Sequence, residues 1–271
     1  MVDLDAYFAR IGYDGPRAAT PQVLARLHAL HPAAVTFEAI DCLLDRGVDI
    51  SPAAVDAKII AGGRGGYCFE QNSLFRRVLE ALGFRVTGLA ARVRWNMPPD
   101  APAQPRTHQV LSVEIPGEPG RRLVDVGFGG CVLTTPLPLA PHVETETPHD
   151  VYRLTPVGDE LRLEVRREAG WVAAYDVSLT PCEPRDYEMA NWFTSTHPTS
   201  HFRHTLLAGR TTPEARYGLL FNRLAIRPVG GEPTYAFLDA DGIEHHLRET
   251  FGLPVEPSWR PAIETAARGA P

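Results

Sequence analysis

The hydrophobic pattern of the 271-residue chain changes period once, at Gly83. Before it, apolar residues recur at helical spacing: Leu4, Tyr7, Phe8 and Ile11, then Val23, Leu24, Leu27 and Leu30, then Phe75, Val78, Leu79 and Leu82. That spacing lays each set along one helix face. Asp3 is placed to cap the first helix, Pro21 to open the second, and Gly83 to stop a third that runs from about Cys68 to Leu82. Residues 1–83 therefore read as helical.

After Gly83 the runs 84–95, 108–115, 121–128, 151–156, 160–168 and 171–177 are short, often alternating, and broken by Pro and Gly. They read as antiparallel strands of a small barrel or sandwich. The proline-laden stretches 97–106 and 134–150 are expected to be irregular loops. The last third is mixed: a helix over Pro184–Phe193, strands near 204–211, 216–222, 223–228 and 234–239, and a helix at about 243–251. The tail past Pro254 is expected to order poorly. The class is α+β, divided as 1–84, 85–183 and 184–271.

Charge and composition exclude several roles. Asp plus Glu is 33 against 27 Lys plus Arg, a net charge of −6, which argues against a generic nucleic-acid binder. No apolar run approaches the ~20 residues of a transmembrane helix, and the N-terminus lacks the apolar stretch of a secretion signal. A soluble cytoplasmic protein is the expectation. Lys58 is the sole lysine, a skew that reads as coding bias. The four cysteines, Cys42, Cys68, Cys131 and Cys182, show no CxxC spacing, so neither a zinc site nor a disulfide framework is supported. No metal is expected.

The segment Arg64-Gly65-Gly66-Tyr67-Cys68-Phe69-Glu70-Gln71-Asn72 is the most informative. Glycines let the backbone turn sharply, and Cys68 then falls in the first turn of a helix. Free N–H groups and the helix dipole favour an anion there, and a thiolate is the nucleophilic form of cysteine. A buried structural thiol fits the same residues, and both readings stand at this point. A nucleophilic cysteine also needs a base and an orienting group. His108 opens a strand, and Asp125 falls inside the apolar run Leu123–Phe128. A polar strand edge and an outward-facing carboxylate are the plain alternatives. Adjacent strands would bring His108 and Asp125 together, and a helix packed on the sheet would set Cys68 above them: the thiol version of an acyl-transfer triad.

At these residues the chain resembles the arylamine N-acetyltransferases. The likeness runs from Tyr7-Phe8-Ala9-Arg10-Ile11-Gly12-Tyr13 and Phe37-Glu38 through the Cys68 segment and Thr107-His108. It continues in Asp125-Val126-Gly127-Phe128-Gly129, then Asn191-Trp192-Phe193-Thr194-Ser195-Thr196-His197-Pro198 and Ser200-His201-Phe202. The resemblance implies a helical bundle, an antiparallel β-barrel and an α/β lid around a triad like that of cysteine proteases. It implies acetyl transfer from acetyl-CoA to arylamines or arylhydrazines by a ping-pong route, with Cys68 as nucleophile, His108 as base and Asp125 orienting it. Phe37, Phe128 and Phe202 match positions that line the acceptor pocket, and Gly129 and Gly130 match backbone near the CoA pyrophosphate. Each phenylalanine also fits a core position. Relatives that close amide bonds on polyketide or other thioester-bound chains offer an alternative reaction. One departure is visible: after Phe37-Glu38 the family usually has Asn, and this chain has Ala39.

Overall fold

The structure, a computed structural model, describes residues 2–98 and 100–269. It opens with helices α1 (Leu4–Ile11) and α2 (Pro21–Ala34). The Asp3 carboxylate accepts the Ala6 N–H and the Thr20 hydroxyl accepts that of Val23, so both N-termini satisfy a donor the helix itself cannot. Short elements follow: strand β1 (Phe37–Glu38), helices α3 (Ile40–Leu43) and α4 (Pro52–Val55), and a π-helical stretch at Asp56–Ala61. Helix α5 (Cys68–Ala81) ends just before Gly83, whose φ of +94° is left-handed backbone that favours glycine.

Tyr7, Phe8, Leu24, Leu27, Phe75 and Val78 from α1, α2 and α5 share one core with Leu111, Val113 and Val124 from the sheet below. Each such side chain stabilises by roughly 1.5–3 kcal/mol, against about 1 kcal/mol for a cap. Packing therefore decides where α5 lies, and the caps only set its ends.

That sheet has eight antiparallel strands: β2 (Arg85–Val93), β3 (His108–Glu114), β4 (Arg121–Val124), β5 (Leu137–Pro138), β6 (Thr145–Glu146), β7 (Val151–Val157), β8 (Glu160–Arg167) and β9 (Gly170–Ser178). Their order, β5-β4-β3-β2-β9-β8-β7-β6, forms a nearly closed barrel filled by Leu89, Leu123, Leu154, Leu163 and Tyr175. Helix α5 lies across β2 and β3. Two expectations change here. The stretch 134–150 is not wholly irregular, because β5 and β6 pair with β4 and β7. The run 121–128 is strand only to Val124, so Asp125 lies beyond it. The Asp125 carboxylate accepts the Gly127 N–H at 2.9 Å, a side-chain turn that replaces the ladder.

The remaining elements are α6 (Pro184–Thr196), strands β10 (Leu207–Thr211), β11 (Ala215–Leu220), β12 (Arg223–Pro228) and β13 (Thr234–Phe237), and helices α7 (Ala240–Glu249) and α8 (Arg260–Ala266). A five-stranded sheet runs β1-β10-β11-β12-β13. Its first strand corrects the reading of 1–83 as purely helical: Phe37 pairs with Gly209 and Glu38 with Ala208, partners far along the chain. Residues 255–269, the described part of the tail past Pro254, are ordered, not loose. Trp259, 1% exposed, packs with Ile263 in the core of α7. Apolar residues at 253, 255, 259 and 263 are too sparse to announce a helix locally, yet they fill the groove beside Leu247 and Phe251. Among the described residues no helix is long and apolar enough to cross a membrane.

Candidate active site

The loop before α5 is stitched to β1. A Cβ on Gly65 would sit 1.9 Å from the Thr36 carbonyl oxygen, so no other residue fits. The Gly66 N–H donates to Thr36 O at 3.2 Å, the Glu38 N–H donates to Gly66 O at 3.1 Å, and the Gln71 amide donates to Gly66 O at 2.6 Å. Glu70 reaches back one turn and accepts the Tyr67 N–H at 3.0 Å, half of a capping box. Cys68 is thereby held at the first helical position, 5% exposed, with its thiol 3.7 Å from the Thr107 carbonyl. In this first turn the Glu70 N–H turns back to the Tyr67 carbonyl at 3.1 Å, while the first N–H groups of a helix lack the i−4 carbonyl partner that later turns have.

His108 and Asp125 meet as the strand pattern predicts, although Asp125 sits past the strand end. His108 Nε2 lies 2.7 Å from Asp125 Oδ2. With Nε2 engaged, Nδ1 is the nitrogen left for Cys68. Asp125 is fully buried; its other oxygen accepts from Asn72 Nδ2 and the Gly127 N–H, both at 2.9 Å. Burial alone would raise the Asp125 carboxyl, but His108 and these hydrogen bonds hold it below its ordinary value. Burial alone would lower His108, but the adjoining Asp125 charge, with Cys68 as a further contributor, pushes it up to about 10. The arrangement favours the imidazolium form of His108 beside the Cys68 sulfur and keeps its ring in line. A Cβ on Gly127 would come within 2.8 Å of the Cys68 Cα, so glycine is what lets the Asp125 turn approach the nucleophile.

Three partners of this site have no role in the sequence reading. Asn72 donates to Asp125 and to Gln109 O at 2.7 Å, and accepts the Val126 N–H at 3.1 Å. Its position four residues after Cys68, on the same helix face, is the signal that points to it. His28 Nε2 donates to the Asp125 carbonyl at 3.0 Å; nothing in α2 marks it apart from the apolar stripe. The Tyr175 ring lies 5.0 Å from that of His108, reached from β9.

The Phe128 ring stands edge-on to His108 at 5.0 Å. Phe37 and Phe202 are 6.3 Å apart, and Phe202 also meets Tyr67 at 5.7 Å. All three phenylalanines are half-buried, unlike sealed core residues. Gly129, at φ +74°, passes over the Phe37 ring, Gly130 is exposed, and Gly209 of β10 packs against their backbone. Among the described residues no group of three or more His, Cys, Asp or Glu could hold a metal ion.

A thiol at a helix start, an imidazole and a carboxylate beside half-buried aromatic rings make an arrangement chemically able to carry acyl transfer. A family model described as N-acetyltransferase matches residues 20–260. An arylamine N-acetyltransferase of Mycobacterium bovis is 41% identical over 266 residues, 97% of this chain and 94% of the relative. The chain belongs to the arylamine N-acetyltransferase family. The solved arylamine N-acetyltransferase of Mycobacterium marinum aligns with a TM-score of 0.94 at 40% identity, covering 98% of each chain. The structure of that protein in complex with CoA aligns at 0.93, again at 40% identity and 98% of each chain.

The departure from the family at Ala39 has a visible consequence. Ala39 is buried against Tyr67, Cys68 and Phe69 and stands at the N-cap of α3 with no side-chain acceptor of its own. Glu38 Oε2 takes that role, accepting the Ile40 N–H at 2.8 Å. The missing amide thus leaves no orphan donor at Ile40.

Proposed function

We propose that this chain transfers the acetyl group of acetyl-CoA to the nitrogen of an arylamine or arylhydrazine through an acetyl-Cys68 intermediate. The His108–Asp125 contact of 2.7 Å, set beside a thiol at a helix N-terminus, is the observation that carries the reading. The Cys68 thiolate attacks the thioester carbonyl. The tetrahedral oxyanion is stabilised by backbone N–H groups near Cys68 at the start of α5. CoA leaves as the thiol, taking the proton from the His108 imidazolium. The amine then attacks acetyl-Cys68, gives its proton to His108, and releases the thiolate. Asp125 keeps the imidazole oriented and its positive form stable throughout.

In this reading Phe37, Phe128 and Phe202 offer flat apolar faces to the aromatic acceptor, and the exposed backbone at Gly130, next to the buried Gly129, lets CoA approach closely. The division into 1–84, 85–183 and 184–271 belongs to the same proposal: nucleophile, base with its carboxylate, and lid come from successive parts of the chain. Mass spectrometry of the protein incubated with acetyl-CoA alone should show one acetyl group on Cys68, discharged by an added arylamine and lost in Cys68→Ala. Turnover without any such adduct would end this account.

A further inference from the structure

The sole lysine lies directly behind the nucleophile. Lys58 belongs to the π-helical stretch Asp56–Ala61, a rare geometry that often marks functional positions. Its Nζ is 2.7 Å from Glu70 Oε1, 2.7 Å from Asp41 Oδ2 and 3.9 Å from Glu38 Oε1, with the side chain only 16% exposed. Arg64 covers two of the same carboxylates, its Nη2 lying 2.8 Å from Glu38 and 3.2 Å from Asp41. Glu70 is different: among the described residues Lys58 is the one cation paired with it. The other Glu70 oxygen accepts the N–H of Tyr67, the residue before Cys68.

Two buried carboxylates, Glu38 and Glu70, and the half-buried Asp41 therefore gather around Lys58 and Arg64, with Arg46 a further 3.7 Å partner of Asp41 alone. Removing Lys58 leaves Glu38 and Asp41 with Arg64, and leaves Glu70 with no counter-charge. A buried carboxylate in that position must take up a proton or shift. Burial already raises Glu70, with Glu38 adding to the push and Lys58 opposing it. Two other titratable groups close by, the Cys42 thiol, pushed up to about 12, and the Tyr67 hydroxyl, held well above its ordinary value, are raised by burial and by the Glu70 charge and add no charge of their own near neutrality. Lys58 itself is held charged: its three carboxylates outweigh burial and raise it above its ordinary value.

We propose that Lys58 is a positioning residue for acyl transfer: its ammonium pins the Glu70 carboxylate, and that carboxylate fixes the N-terminus of α5 and with it the Cys68 thiol. The proposal rests on Cys68 being the nucleophile. Lys58 touches neither donor nor acceptor and acts only through Glu70.

The test follows the alkylation rate of Cys68 by iodoacetamide between pH 6 and 9, alongside thermal melting, in the wild type, Lys58→Met, Lys58→Met/Glu70→Gln and Arg77→Met. Lys58→Met is expected to slow alkylation about tenfold or more at pH 7, since a thiol displaced from His108 moves toward the free value of ~8.5 and is then only a few per cent thiolate. The double variant should regain most of the rate, because a glutamine carbonyl still accepts the Tyr67 N–H and needs no cation. Arg77→Met breaks another partly buried ion pair, with Asp56, and should melt lower without slowing Cys68. Equal slowing in Arg77→Met, no rescue in the double variant, or a Lys58→Met protein that melts lower with unchanged Cys68 reactivity would each overturn the proposal. Acetyl transfer surviving in Cys68→Ala would instead remove the nucleophile reading on which it rests.

Discussion

Two regions of the molecule invert the usual rule of burial in opposite directions. Behind Cys68 the corner made by residues 36–41 and 58–72 is polar and sealed. Glu38, Glu70, Gln71, Asn72 and Arg64 are all buried, each with named partners. At the far edge of the five-stranded sheet, β13 is apolar and open: Phe237 is 76% exposed and Tyr235 49%. A ring left in solvent contributes little to the core, so its removal costs little. A buried polar group without its partner loses its entire hydration. The sealed corner is consequently the brittle region and the open edge the tolerant one.

The largest break in that comparison should come from Asp125→Asn. The amide cannot stabilise an imidazolium, so acetyl transfer should fall by roughly 10⁴-fold, as for the equivalent change in a serine triad. His108, now governed by burial, should titrate below its ordinary value instead of near 10, which NMR of the ring protons would show. An unchanged His108 titration would mean that Asp125 is not what raises it.

A smaller effect concerns acid. His28 and His31 are fully buried; burial, and for His31 the nearby Arg10 charge, lower them to about 4 and about 3. The unfolded chain binds protons at both imidazoles below about 6.5. Their contribution to stability is therefore complete above that pH and declines as pH falls toward 4 and then 3. Melting temperature should drop across this window, and His31→Gln should flatten the drop; an equally steep curve in that variant would remove His31 from the cause. The least effect belongs to the open edge. Phe237→Ser should change stability by no more than about 0.5 kcal/mol in denaturant titration and leave Cys68 reactivity alone. A larger loss would show that β13 is less independent of the core than its exposure suggests.

The ordered tail shows why part of the site was hidden. Residues past Pro254 carry few apolar side chains, and their local pattern gives no reason to fold. In the structure Trp259 lies under Arg64, whose guanidinium is 4.7 Å from the ring centroid, and Thr36 donates to the Phe251 carbonyl. The segment around Trp259 thus closes the charged corner behind Cys68, a contact that neither segment signals alone. β1 is similar: two residues become a strand only because β10 arrives beside them. Lys58, read as a product of coding bias, gains its partners Asp41 and Glu70 from the same convergence.

The sequence by itself determined the helical period before Gly83, the alternation after it, the cap at Asp3, and the glycine loop that delivers Cys68 to a helix N-terminus. These are local properties, set by spacing and backbone freedom within a few residues. It also made His108 and Asp125 candidates, since adjacent strands would bring them together. Only the tertiary structure decided that Asp125 leaves its strand to form a turn, that Asn72 and His28 hold it, and that the tail packs. Those outcomes depend on burial and on partners distant in the chain, which no window of sequence contains.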